Sequence, residues 1–261
     1  MKRYLRIYRT FFLSSLVREM EFRANFFAKI AVMIVWTSFF VIGILLIFRN
    51  TQSIAGWNQG QVLVLTGSAF LLSSFNQAFF FSITEIPSQV QLGTLDFIVT
   101  RPMESQFWIS LRRFNLDQIG SMLTSSAMIA IGINQSHSTI SSMKWGQWLV
   151  LMLCSITIFY SFNFAMFTSS IWFVKLDNLF VITEATTNVS RNPMDIFSRV
   201  VQRIFIFAIP LAFLAYMPAK ALLKHLPPIF ILYAITWALF SFLASRSFWT
   251  YATKHYSSAS A

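Results

Sequence analysis

The sequence predicts an all-α membrane protein: six transmembrane helices, an N-terminal amphipathic interfacial helix, and a proline-broken external segment between helices five and six that can re-enter the membrane. Three observations lead there. Of 261 residues, 56% are hydrophobic and 11% are charged, whereas a soluble domain carries about 25% charged residues. Residues 30–48, 50–84, 118–136, 145–174, 204–219 and 226–245 contain no Asp, Glu, Lys, Arg or His, and each stretch can hold the roughly 20 helical residues that a hydrocarbon core of about 30 Å requires, the fifth barely. The runs are also long and continuous, where a membrane barrel shows alternating segments of roughly ten residues.

Residues 1–26 come first and are too charged to span. At 100° per residue Lys2, Arg3, Arg6 and Arg9 share one arc, and Tyr4, Leu5, Ile7, Tyr8, Phe11, Phe12 and Leu16 share the other. That pattern predicts a cytoplasmic helix lying in the interface, basic side toward anionic headgroups. Residues 27–261 then form one membrane domain with spans near 28–48, 61–83, 114–133, 148–173, 203–217 and 228–246. The first run is too long for a signal-peptide core and reads as an uncleaved span.

Between the spans, 49–60 and 134–147 are short and polar, too small to fold alone. Residues 84–113 form the long loop between spans two and three. Pro210, Pro218, Pro227 and Pro228 punctuate the fifth apolar run, so either span five is short and kinked or part of 210–227 dips back into the membrane from outside. Re-entrant backbone survives there only if protein or a water-filled cavity covers it.

An even number of spans puts both termini on one side with the loops 84–113 and 174–202. That side carries 16 of the 20 Lys and Arg; Arg49, Lys144, Lys220 and Lys224 fall on the other. The bias predicts cytoplasmic termini and explains the net charge of +11 without nucleic acid, which would call for a basic face on a soluble domain.

Chemistry is sparse. His137, His225 and His255 lie in loops or the tail with no ligand spacing, so no metal site is expected, and no catalytic residue is identified. The single cysteine, Cys154, falls within span four and reads as a small buried hydrophobe. None of the eight glycines precedes a lysine, so this chain has no phosphate loop of its own. With no carboxylate or cation near their middles, the predicted spans also lack the coupling groups of an ion-driven carrier. Asn76 and Gln77 in span two and Asn163 in span four are the notable uncharged polar groups; they can bond neighbouring helices or line a substrate path.

The loop 84–113 carries the sharpest local signal. In ITEIPSQVQLGTLDFIVTRP, Pro87 suits a first helical turn and Gly93 a C-terminal cap, which predicts a short helix across the membrane face. Leu95, Phe97, Ile98 and Val99 follow as apolar side chains beside Asp96. They can pack on the protein itself or form a docking surface for a cytoplasmic motor.

LGTLDFIVTRP resembles the G-x-L-D-x-x-L-x-x-P pattern in the cytoplasmic loop of bacterial ABC type-2 exporter permeases, in the branch related to viologen and drug exporters. Gly93, Leu95, Asp96 and Pro102 match, and Val99 replaces the usual leucine. RNPMDIF at 191–197 is similar to the segment before span five of that family, IPLAFLAYMPAKALL at 209–223 to its external segment, and YSSASA at 256–261 to its ending.

The resemblance implies a six-helix permease subunit in a bacterial cytoplasmic membrane, not itself an enzyme. It would pair with a second identical or related permease and with two separate ATPase subunits that bind ATP and Mg. Glu85, Gln89, Leu92, Gly93, Leu95 and Asp96 would contact the ATPase, Asn76, Gln77 and Asn163 would line the path, and Pro210 and Pro218 would mark an external gate. A Phe-rich interior suits an exported amphipathic or lipid-like substrate. A secondary carrier or channel without an ATPase is the alternative, and a membrane scaffold the third class.

Overall fold

A computed structural model of the chain describes residues 2–136, 140–173 and 179–256. His137, Lys175, Asp177 and the YSSASA ending beyond Tyr256 lie outside them. Helices α1 (Lys2–Glu21), α2 (Arg23–Asn50), α3 (Gln59–Phe80), α4 (Ile86–Gln91), α5 (Asp96–Val99), α6 (Ser105–Leu111), α7 (Ile119–Ser136), α8 (Ser142–Thr168), α9 (Leu179–Ser190), α10 (Arg199–Arg203), α11 (Tyr216–Leu223) and α12 (Pro228–Lys254) follow in order. Among the described residues the β content is one isolated bridge, Ile54 with Trp57.

The bundle has a lower end, which carries the connection from Phe81 to Gln118, and an upper end, which carries residues 51–58. Five stretches centred on α2, α3, α7, α8 and α12 are long and apolar enough to cross a membrane, as expected of an all-α membrane protein.

Helix α1 forms where the basic and apolar arcs alternate, and its apolar arc meets the lower end rather than lipid alone. Tyr8 and Phe12 set their edges against Phe114 at 5.3 and 5.4 Å, Phe11 against Trp108 at 4.8 Å and Tyr4 against Phe107 at 5.0 Å. Edge-to-face pairs of this kind contribute about 0.5–1.5 kcal/mol each beyond burial. The Phe114 N–H donates to Ser15 Oγ at 3.1 Å, which ties the helix down at a point.

Helix α3 is the central element, buried along most of its length. Asn58 caps it: its side chain accepts from the Gln61 N–H at 2.9 Å, and Gln61 accepts from the Asn58 N–H at 3.2 Å, a reciprocal cap that satisfies two otherwise open donors. Against α7 the backbones meet at glycine. A Cβ on Gly132 would stand 2.5 Å from the Gly60 carbonyl oxygen, and one on Gly60 would stand 2.6 Å from that of Gly132. In lipid, where apolar burial gives helices little reason to associate, such close approach supplies the van der Waals contact that does.

The fifth passage between the two ends departs from expectation. Leu179, at the start of α9, packs with Ile83, Ile86, Phe167 and Trp249 at the lower end. Beyond the end of α9, Asp195 accepts hydrogen bonds from Trp57 and Tyr216 at the upper end. Twelve helical residues rise about 18 Å, and a turn at 191–193 leads into the 3₁₀ turn Met194–Ile196 that holds Asp195. Residues 203–217, expected as span five, are instead broken into the end of α10, a π-helical turn over Ile204–Ala208 and a 3₁₀ turn over Pro210–Phe213.

These turns belong to a hairpin that enters and leaves by the upper end. Asp195 and Lys224 both lie at Trp57, while between them the Phe213 carbonyl reaches Ser155 in the middle of α8 at 2.5 Å. Pro210 halts the descending limb because its ring excludes the helical carbonyl bond. Pro218 sits in the first turn of α11, where its missing N–H has no partner to lose. The proline-marked segment thus folds back against the bundle from its upper end, and the reversal spans 199–224.

Candidate functional site

Two polar assemblies stand out, one at each level of the bundle. The lower one is the connection 81–113. A 3₁₀ turn over Phe81–Glu85 feeds α4, with Pro87 in its first turn. Gly93, at φ 66°, ends it as expected: the Gly93 N–H donates to the Val90 carbonyl at 3.2 Å and the Thr94 N–H to that of Gln89 at 3.0 Å.

Glu85 sits between two guanidinium groups, bonded to Arg112 and, at 2.6 Å, to Arg113, and the Gln89 amide lies against Arg112. Leu95 is fully buried against Ile86, Ile98 and Ile109, so it holds the loop from within and is not available to a partner. Leu92 and Phe97, by contrast, are 73% and 69% exposed, with half-buried Gly93 and Asp96 between them. Phe97 is the surface residue that the motif did not single out, because a run of apolar residues does not say which of them turns outward.

The loop is joined to the rest of the lower end by polar bonds of its own. Arg101 lies over the Trp108 ring at 3.9 Å, Glu104 pairs with Arg246 at 3.0 Å, and the Trp249 indole donates to Ser105 at 2.9 Å. Movement at α4 and α5 is therefore linked through α6 to α1 and α12.

The second assembly begins as a cavity of about 330 Å³ between α3, α8 and α9 that rises from Phe81, Ile83 and Thr84 at the lower end, with Asn76, Gln77 and Asn163 in its lining. Asn163 donates to the Phe159 carbonyl at 2.9 Å and accepts from the Thr183 hydroxyl at 2.9 Å, so it fastens α9 to α8. Gln77 reaches Ser73 at 3.4 Å. Asn76 donates to Leu72 at 3.1 Å, and its buried Oδ1 has no hydrogen-bond partner.

Glu184 and Arg191 line the same cavity. Arg191 stacks over Phe70 at 4.2 Å and Phe40 at 4.9 Å, both near the middle of their helices. Its Nη1 donates to Asn188 at 2.8 Å, and its buried Nε has no partner. A charge at the centre of a spanning helix is unfavourable by about 2.5–3.5 kcal/mol on insertion scales. Glu184 of α9 and Arg191 just past its end nevertheless line a cavity of the bundle, which a search for charge-free stretches does not anticipate.

Above the cavity, a tight turn with Ala55 at φ 49° and Gly56 at φ 77° folds Trp57 into the bundle, where it is fully buried. Its indole donates to Asp195 at 2.7 Å, and the Tyr216 hydroxyl donates to the same carboxylate at 3.1 Å. Burial first, then the Asp195 charge, raise the Tyr216 phenol far above its ordinary value, so it remains a donor. Lys220 donates to the Tyr216 oxygen at 3.3 Å, and Lys224 lies over the Trp57 ring at 4.5 Å. This cluster fastens the hairpin, with Pro210 and Pro218, to the fifth passage. Sequence reasoning did not find it, because Trp57 and Asp195 are 138 positions apart.

No group of three or more His, Cys, Asp or Glu side chains arranged to hold a metal ion occurs among the described residues. A largely apolar groove beside the cavity, lined by Phe162, Ile209, Pro210 and Trp237 among others, has no charged residue in its lining. No curated protein matches the chain. The family of ABC-2 family transporter proteins matches residues 33–260, and the chain belongs to it: this is the multi-pass membrane permease of an ABC transporter.

Proposed function

We propose that the chain exports an amphipathic substrate through the cavity between α3, α8 and α9, driven by two separate ATPase subunits seated against the loop 84–113. The observation that carries this reading is the pairing of an outward apolar knob, Leu92 and Phe97, with a polar cavity inside a membrane bundle. The knob has no packing role within the protomer, and the cavity has polar groups that the protomer leaves open.

In this reading the lower end and both termini face the cytoplasm of a bacterial cell, and ATP and its Mg²⁺ are handled by the ATPase subunits alone. Residues 179–195 make the fifth of six crossings, and a second permease, identical or related, completes the translocating pair. Closure of the ATPases pushes the loop through α6 against α1 and α12. The bundle then switches between two packed arrangements, because interfaces of this kind are bistable rather than continuously deformable. Release outward requires the hairpin 199–224 to part from the fifth passage at Asp195.

The test is purification from the native membrane in mild detergent with an ATPase assay on what elutes. An ATPase is expected to accompany the wild-type chain, and its stimulation by substrate should collapse in D96K and F97D. A chain that elutes alone and inactive across several detergents contradicts the proposal and favours a carrier that works without a motor.

A further inference from the structure

Glu184 and Arg191 are seven residues apart, two helical turns, and so share one face of the fifth passage about 10 Å apart along it. Among the described residues Glu184 makes no hydrogen bond or ion pair, and Arg191 has only Asn188 as a side-chain hydrogen-bond partner. The two are too far apart to pair directly, yet both open on one cavity.

The polar groups are also sorted by depth. Arg191 lies over Phe70 of α3, and its guanidinium offers donors only. Asn76, which lines the same cavity, is six residues, about 9 Å, further down α3; its buried Oδ1, which no donor meets, and the Glu184 carboxylate are acceptors. The cavity therefore presents donors and positive charge toward its upper part, acceptors and negative charge toward its lower part.

A ligand with one charge satisfies half of this arrangement and leaves the other charge without a partner. A neutral ligand satisfies neither. We infer that the cavity is a headgroup site for a zwitterionic amphipath, its ammonium end held by Glu184 and Asn76 and its anionic end on Arg191. This rests on the proposed role of the cavity as the substrate path and names the class of substrate.

The test uses three short-chain probes of matched tail length in a non-ionic detergent: a phosphatidylethanolamine, a phosphatidylglycerol and an alkylammonium. Binding is read by native mass spectrometry. The wild-type chain should take the phosphatidylethanolamine roughly tenfold more tightly than either singly charged probe, about the worth of one charge-assisted hydrogen bond. E184Q should shift preference to the anionic probe and R191Q to the cationic one, while R191K should retain the wild-type order. Glu184 is exposed in the protomer, so E184Q does not depend on the folding tolerance of the more buried Arg191.

If all three probes bind alike and N76L weakens them equally, the cavity is a binding site but the zwitterionic assignment is wrong. If N76L, E184Q and R191Q all leave binding unchanged, or nothing binds, the cavity itself is not the site. Loss of permease dimers in E184Q with an unaltered probe order overturns the inference in favour of an ion pair between copies.

Discussion

Glu85 and Glu184 are both carboxylates in a membrane permease, and the chain treats them oppositely. Glu85 lies between Arg112 and Arg113, with Gln89 beside them; its charge is consumed in shaping the loop. Glu184 faces a cavity and has no ion pair among the described residues; Arg191, which lines the same cavity, is two turns away. A charge matched inside the protomer is architecture. One left unmatched on a cavity is free to meet something that arrives from outside, as the proposed headgroup site requires.

The comparison can be broken most severely by disturbing the frame that both regions share. Gly132→Leu forces α3 away from α7, because the Cβ alone meets the Gly60 carbonyl at 2.5 Å. Overpacking of this kind destabilises by about 1–3 kcal/mol, and thermal unfolding in detergent should show it as a lower midpoint with both assemblies lost together.

Next comes Glu85→Gln, which strands two partly exposed arginines. Partly exposed networks contribute about 1 kcal/mol, so the variant should unfold earlier and couple ATP hydrolysis poorly. Glu184→Gln and Arg191→Gln sharpen the contrast from the other side. Removing unmatched charges should leave the unfolding midpoint unchanged or raise it, while transport by reconstituted protein falls. A midpoint drop in Glu184→Gln as large as in Glu85→Gln would erase the distinction between the two carboxylates.

The smallest effect belongs to Thr183→Val, which deletes the bond from α9 to Asn163. Hydrogen bonds between helices in membranes contribute about 0.6 kcal/mol on average, detectable as faster hydrogen exchange in α9 rather than as a changed midpoint.

Much of this molecule is legible in its sequence, and the illegible parts share one physical origin. Apolar runs locate α2, α3, α7, α8 and α12 because lipid demands them. The glycine cap at Gly93 and the two-faced α1 follow from local rules that tertiary structure does not override. Asn76, Gln77 and Asn163 are recognisable because polar amides are conspicuous in such runs, and all three line the cavity.

The fifth passage escapes the same reasoning. A search for charge-free stretches rejects 179–195 for Glu184, Arg191 and Asp195 and accepts 203–217, which is apolar but broken at Pro210. Hydropathy assumes that each crossing helix meets lipid all round. Glu184 of α9 and Arg191 just past its end instead line a cavity, and the hairpin is apolar on two accounts: its returning limb is packed inside the bundle around Phe213, Met217 and Leu222, while its descending limb leaves Val200, Ile204, Phe207 and Ile209 exposed. Leu95 and Phe97 illustrate the same limit on a smaller scale: two neighbouring apolar residues, one fully buried and one exposed, distinguished by helix phase rather than by composition.

The course of residues 179–195 is the claim on which the cavity and its charges depend, and cysteine labelling in sealed vesicles tests it directly. With Cys154 replaced by alanine, N192C and F97C are exposed to a membrane-impermeant maleimide from each side in turn. The structure predicts that N192C and F97C are modified from opposite faces. Modification of both from the same face would return residues 191–197 to the loop end of the bundle and remove Glu184 and Arg191 from its interior.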